Sequence, residues 1–255
     1  MNFSKLSILV VASLMVTSCS NDRALKAKAK ELAQKFIITD GHIDTPWKLS
    51  KNYEDISLRT KTGDFDYVRA KEGGLNVPFM AIYIPSSYLE TVGAKEKADS
   101  LKDMMEQIAD KDPDKFEIAY SLADANRIFK EGKVALPLGM ENGAGIEGDI
   151  SNLKHFYDRG IRYITLTHSK DNLICDSSYD EEEDTWSGLS PYGRKVVKEM
   201  NRLGIMVDIS HVTDEVINQV LDMTDVPVVA THSSCLSLIH ISEPTRLRRI
   251  SYAVF

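Results

Sequence analysis

The sequence is poor in cysteine, in positive charge and in long apolar runs, and each shortage removes a class of protein. Its three cysteines among 255 residues, Cys19, Cys175 and Cys235, form no C-x-x-C pair. Neither a disulfide framework nor a cysteine-built zinc finger is therefore indicated. A formal net charge of -7 offers no global attraction to a polyanion, so nucleic acid is not an expected partner. The apolar stretch L-S-I-L-V-V-A-S-L-M-V from Leu6 is short for a membrane span and reads as a signal peptide. No internal repeat of fixed short period is visible. What is present, 43% hydrophobic and 27% charged residues, is ordinary globular composition, enough for one large domain or two small ones.

Lys5 precedes the apolar stretch, and V-T-S-C, Val16 to Cys19, follows it in an order that resembles a bacterial lipobox. Residues 1–19 are expected to be a lipoprotein signal peptide whose cleavage leaves Cys19 as a lipidated N-terminus. The expected location follows: an exported protein anchored to a bacterial membrane, at the outer membrane or the periplasmic face.

Residues 20–35 are polar and rich in Ala and Lys, and they predict a linker or helix. Six apolar runs then recur: F-I-I-T-D from Phe36, V-P-F-M-A-I-Y-I from Val77, V-A-L-P-L-G-M from Val134, R-Y-I-T-L-T-H from Arg162, I-M-V-D-I-S-H from Ile205 and V-P-V-V-A-T-H from Val226. Short continuous apolar runs bounded by polar or turn-forming residues predict strands buried on both faces. Between them lie segments of helical periodicity, such as Asn152 to Gly160 and Tyr192 to Gly204, each closed by a glycine that reads as a helix stop. The stretch from Leu89 to Arg127 reads as two helices in an extended connection.

Alternating strands and helices predict a parallel sheet covered by helices, either doubly wound or closed into a barrel. The polar residues separate these. His42, Asp44, Glu141, His168, His211 and His232 all fall at C-terminal ends of strands; a barrel gathers such ends on one rim, whereas an open sheet spreads them along a line. The expected fold is α/β, a (β/α)8 TIM-type barrel over residues 36–235.

In I-I-T-D-G-H-I-D-T-P-W, Ile37 to Trp47, an apolar run ends on His42 and Asp44. Residues two apart in an extended chain share a face, so the imidazole and the carboxylate converge. Nitrogen and oxygen donors at one point suit zinc. Taken alone, Asp40 and Asp44 read equally well as turn residues around Gly41, and a single strand-end histidine is more often structural. Four of the six histidines at strand ends make coincidence the poorer explanation. Two zinc ions sharing a carboxylate would take His42 and Asp44 on one side, Glu141 as the bridge, and His211 and His232 on the other. Glu147, in a loop after two glycines, is the second candidate for the bridge. His155 reads as a surface residue of a helix, and the acidic run Asp180 to Asp184 as a solvated loop.

The set D-G-H-I-D-T-P-W, G-M-E-N-G, G-I-R-Y-I-T-L-T-H-S, K-E-M-N-R-L-G-I-M-V-D-I-S-H-V and P-V-V-A-T-H-S-S resembles the membrane (renal) dipeptidase family of zinc peptidases, in consistent order from about Phe36 to Ser234. The resemblance implies a barrel of metal-dependent hydrolase type with two zinc ions, cleaving dipeptides and often tolerating a D-residue at the C-terminal position. It implies His42 and Asp44 on one zinc, Glu141 bridging, and His211 and His232 on the other, with Glu141 and His168 as catalytic residues. A water bridging two zinc ions loses its proton near neutral pH and becomes the nucleophile. His168 would face the scissile carbonyl and hydrogen-bond the developing oxyanion. The family's later aspartate and arginine are not identifiable here. Two other readings stand beside this one: another metal-dependent amidohydrolase on the same barrel, and a non-catalytic metal-binding surface lipoprotein. Dipeptides and, through Cys19, a membrane are the expected partners. The residues leave the oligomeric state open, a homodimer included.

After Ser234 the resemblance stops. L-S-L-I-H-I-S-E-P-T-R and the terminal I-S-Y-A-V-F resemble translated adapter sequence from sequencing libraries, so residues 236–255 are expected to be an artefactual tail. Six strands are fewer than the eight a barrel requires, so the natural chain is expected to continue. His240, Arg246, Arg248 and Arg249 accordingly receive no role.

Overall fold

The computed structural model describes residues 22–90 and 92–233. The expected signal peptide, Cys19 and the expected tail lie outside these residues. A first helix, α1, covers 22–35. It is followed by β1 (Thr39–Ile43), α2 (Thr45–Lys51), α3 (Tyr67–Gly73), β2 (Val77–Tyr83), α4 (Ala94–Lys111), β3 (Phe116–Ile118), α5 (Leu122–Lys130), β4 (Val134–Leu136), β5 (Leu138–Glu141), α6 (Ser151–Asp158), β6 (Ile161–Thr165), α7 (Pro191–Leu203), β7 (Met206–Asp208) and α8 (Asp214–Met223). Short 3-10 turns follow β2 and β5, at Ser86–Glu90 and Gly143–Ile146. No helix among the described residues is long and apolar enough to cross a membrane.

The main sheet is parallel throughout, in the order β1-β2-β5-β6-β7. Its strands are the apolar runs anticipated above; the central ones, β2, β5 and β6, are largely buried on both faces, whereas β1 at the edge is half-buried. Met80, Ile82, Leu138, Met140 and Ile164 are fully buried. The sheet is curled. Gly41, on β1 at one edge, comes so close to the last described segment that a Cβ there would sit 3.0 Å from the Thr231 carbonyl oxygen. This is a half-barrel, and the (β/α) barrel class expected from the strand-end residues is borne out.

Three details differ from expectation, each for a physical reason. The run from Val134 is two strands rather than one: Pro137 has no N–H to donate, although its carbonyl accepts from Met80 N at 2.9 Å. Upstream of it β4 pairs with β3 in a separate two-stranded sheet, and downstream β5 joins the main one. The connection from Leu89 to Arg127 contains the short strand β3 between its two helices. The sixth run forms a single parallel bridge, Asp208 to Val229, held by Ile209 N to Val229 O and Val229 N to Val207 O, both 2.9 Å.

Helix ends follow local chemistry. Ser190 caps α7 by accepting from Gly193 N at 2.8 Å, ahead of Pro191 at the first turn. Gly204, at φ 82°, ends it in the left-handed region. These two signals place β7, and with it His211, where the rim requires.

Candidate metal centre

Each candidate side chain leaves the C-terminal end of a strand. His42 comes from β1, Glu141 ends β5, His168 follows β6, His211 follows β7 and His232 follows the Val229 bridge. The curl brings all five to one place. The Glu141 carboxylate is buried at the centre: Oε1 lies 3.0 Å from His211 Nε2, 3.2 Å from His232 Nε2 and 3.6 Å from His168 Nε2, while Oε2 lies 3.4 Å from His42 Nε2. His211 Nε2 and His232 Nε2 face each other at 2.7 Å. Asp44 Oδ1 lies 3.5 Å from His42 Nε2 at the half-exposed rim. Asp44 occupies the N-cap of α2 yet makes no side-chain cap hydrogen bond. Its carboxylate is thus not spent on the helix, as an N-cap aspartate ordinarily is.

Electrostatics follow from this packing. Burial raises the pKa of Glu141, but His211, His232 and His42 outweigh it and hold the carboxyl far below its usual range. Burial pulls His42 down, and Asp44 and Glu141 more than reverse it, lifting the imidazole to about 9. His168 is lowered, chiefly by burial, so its ring is neutral at pH 7.

Two groups of donors lie close enough to hold a metal ion, their ligand atoms within 4.8 Å of one another: His42, Glu141 and His232, and Glu141, His168 and His211. Glu141 is common to both. Imidazole nitrogens around a shared carboxylate suit zinc and other borderline divalent metals. The buried Nδ1 atoms of His168 and His211 have no hydrogen-bond partner among the described residues. The His232 and His42 rings lie tilted with centroids 3.8 Å apart, and His168 sits 4.4 Å from His211; on the shared carboxylate His211 and His232 both meet Oε1 while His42 meets Oε2.

Residues set aside at the rim have other work. Glu147 caps the start of α4, accepting from Gly93 N and Lys95 N, each at 3.2 Å. His155 bonds Asp99 at 2.9 Å between α6 and α4. Glu181 to Asp184 are exposed, whereas Asp180 holds Lys170 Nζ and Asp171 N. Cys175 is buried and, among the described residues, unpaired.

Sequence reading missed Tyr163, Asp208 and Thr231. Tyr163 OH lies 2.8 Å from His42 Nδ1, and Asp208 bonds Thr231 beside His232. The available signal was polarity inside apolar runs expected to be buried on both faces. Aromatic rings form the walls: Tyr83 lies 4.8 Å from His168 and edge-on to Trp47 at 5.2 Å, and Tyr179 lies 5.2 Å from His211. A cavity of about 710 Å³ opens beside His42, Asp44 and Trp47.

A buried carboxylate ringed by four histidines on the C-terminal rim of a curled parallel sheet defines a metal-site protein of the (β/α) barrel class. Residues 26–244 match the profile of the membrane dipeptidase family, peptidase family M19, and the chain belongs to that family. The match ends beyond Ser234. An uncharacterized dipeptidase of Schizosaccharomyces pombe is 34% identical over 81% of this chain and 54% of its own. Dipeptidase 3 of Mus musculus is 30% identical over 86% and 45%. The chain thus spans about half the length of these curated relatives. Among solved structures, the probable dipeptidase PvdM from Pseudomonas aeruginosa superposes with a TM-score of 0.76 at 27% identity, covering 83% of this chain and 56% of that one. A metallo peptidase from Rhodobacter sphaeroides, liganded with a phosphinate mimic of the dipeptide L-Ala-D-Ala, gives 0.69 at 26% identity, covering 78% and 65%.

Proposed function

We propose that the full-length protein is a zinc-dependent dipeptidase acting through two zinc ions. The observation that carries this is the buried Glu141 carboxylate, whose Oε1 faces His211 and His232 and whose Oε2 faces His42. Relatives named as dipeptidases and the dipeptide mimic in the Rhodobacter sphaeroides structure support the substrate class. His42 and Asp44 would hold one zinc and His211 and His232 the other, with Glu141 shared between them; the uncommitted Asp44 carboxylate supports its place in this set.

When bound, the zinc ions supply Lewis acidity and a water made acidic enough to attack a peptide carbonyl near neutral pH. Glu141 stays ionised in its cage of histidines and so would offer an anion to both zinc ions. His168, the histidine farthest from Glu141 and neutral at pH 7, donates an N–H to the carbonyl oxygen as negative charge develops there.

Glu141→Gln in the full-length protein is expected to lower dipeptide hydrolysis by about 10³-fold or more, the scale for several kcal/mol of lost transition-state stabilisation. Zinc content should fall while the circular dichroism spectrum is kept. Near-normal activity would refute the bridging role. The proposal extends to export and lipid anchoring at Cys19, on the strength of the lipobox-like V-T-S-C. Cys19→Ser should move the protein out of the membrane fraction, and unchanged fractionation would count against the anchor.

A further inference from the structure

Asp208 has a fully buried carboxylate with no lysine or arginine paired to it among the described residues. Five donors surround it. Thr165 Oγ1 and Thr231 Oγ1 donate to Oδ2 at 2.6 and 2.7 Å; Ser210 Oγ, Ser210 N and Thr231 N donate to Oδ1 at 2.8, 3.1 and 3.1 Å. A carboxylate so enclosed acts purely as an acceptor, and hydroxyls that touch it must turn their protons inward.

That requirement propagates to the metal centre. Thr231 has one hydroxyl proton, and Asp208 takes it. The Thr231 oxygen lies 2.8 Å from His232 Nδ1, and it can meet that nitrogen only by accepting. His232 must then carry its proton on Nδ1 and present a bare Nε2, the atom that faces Glu141 and His211. Its backbone is held from the same hub, with His232 N donating to Ser210 Oγ at 3.3 Å. Among the described residues, no comparable partner meets Nδ1 of His168 or His211.

We infer that Asp208, acting through Thr231, is a positioning residue that sets the His232 tautomer for metal binding before any metal arrives. This rests on the reading of His232 as a ligand given above. In Asp208→Asn the backbone N–H groups of Ser210 and Thr231 keep the amide oxygen, so the amide nitrogen faces Thr231. The threonine hydroxyl then accepts from the amide and donates to His232 Nδ1. The ring proton moves to Nε2, where it blocks ligation.

The test is imidazole 15N NMR on metal-free full-length protein at a pH where His232 is neutral, followed by zinc titration of the same samples. Wild type should show His232 protonated at Nδ1. Asp208→Asn should show Nε2–H and about 10–100-fold weaker binding of one zinc, the usual scale for an outer partner of a ligating histidine. Thr231→Ser should keep the wild-type tautomer, and Thr231→Ala should lose it; this pair carries the test if Asp208→Asn does not fold. An Nε2–H tautomer in wild type, or an unchanged Nδ1–H in both Asp208→Asn and Thr231→Ala, would overturn the inference. Wild type that keeps the Nδ1–H tautomer and binds no zinc would uphold the relay and refute the ligand role of His232.

Discussion

Gly139→Ala is a one-methyl change that should damage both the fold and the metal centre. Gly139 on β5 is paired in register with Tyr163 on the neighbouring β6, and a Cβ at that position would overlap ring carbons Cζ, Cε1 and Cε2. The ring has nowhere to go. Tyr163 is 1% exposed, Phe79 packs against it at 5.4 Å, and its hydroxyl is tied to His42 Nδ1. Overpacking of this kind costs about 1–3 kcal/mol, and loss of the hydroxyl bond adds about 1 kcal/mol. A total of roughly 2–4 kcal/mol, at about 2–4 °C per kcal/mol for a domain of this size, predicts a fall in Tm of roughly 5–15 °C. Scanning calorimetry measures it. A double-mutant cycle gives the sharper version: in a Tyr163→Leu background, with no ring to strike, the Gly139→Ala penalty should shrink below about 1 kcal/mol. An unchanged Tm in the single variant, or the same penalty in both backgrounds, would refute the reasoning.

Metal-free protein should lose stability from about pH 6.5 to pH 9. The folded pKa of His42, about 9, lies above its ordinary 6.5 because Asp44 and Glu141 outweigh burial. Its contribution is therefore complete below 6.5 and disappears as pH rises through 9, roughly 3.5 kcal/mol at about 1.4 kcal/mol per unit. Urea denaturation of chelator-treated protein measures this, and flat stability across that window would contradict it. Away from the centre, Asp66 is buried, caps α3 through Arg69 N at 2.8 Å, accepts from Thr60 N and pairs with the Arg69 guanidinium. Asp66→Ala should cost at least about 2 kcal/mol by urea denaturation and leave zinc stoichiometry unchanged. Altered stoichiometry would show that α3 supports the centre.

Much of the site was legible because strand ends announce themselves. His42, His168, His211 and His232 each close an apolar run, and four such endings on a parallel sheet have one common destination once the sheet curls. Glu141 was legible for the same reason, at the end of L-P-L-G-M-E. The division of the Val134 run at Pro137 was less so. A proline inside an apolar run signals a missing donor, but only the positions of β2 and β3 decide that the halves join different sheets.

The amino-acid sequence alone determined the order of strands and helices, the class of fold and the kinds of donor available, because periodicity and strand ends are local properties of the chain. It could not determine which donors share a neighbourhood, since the approach of His232 to both His42 and His211 depends on how far the sheet curls. Nor could it reveal that Gly139 makes room for Tyr163, or that Asp208 reaches His232 through Thr231. Those contacts join residues on different strands, and only tertiary packing brings them within reach of a hydrogen bond or a methyl group.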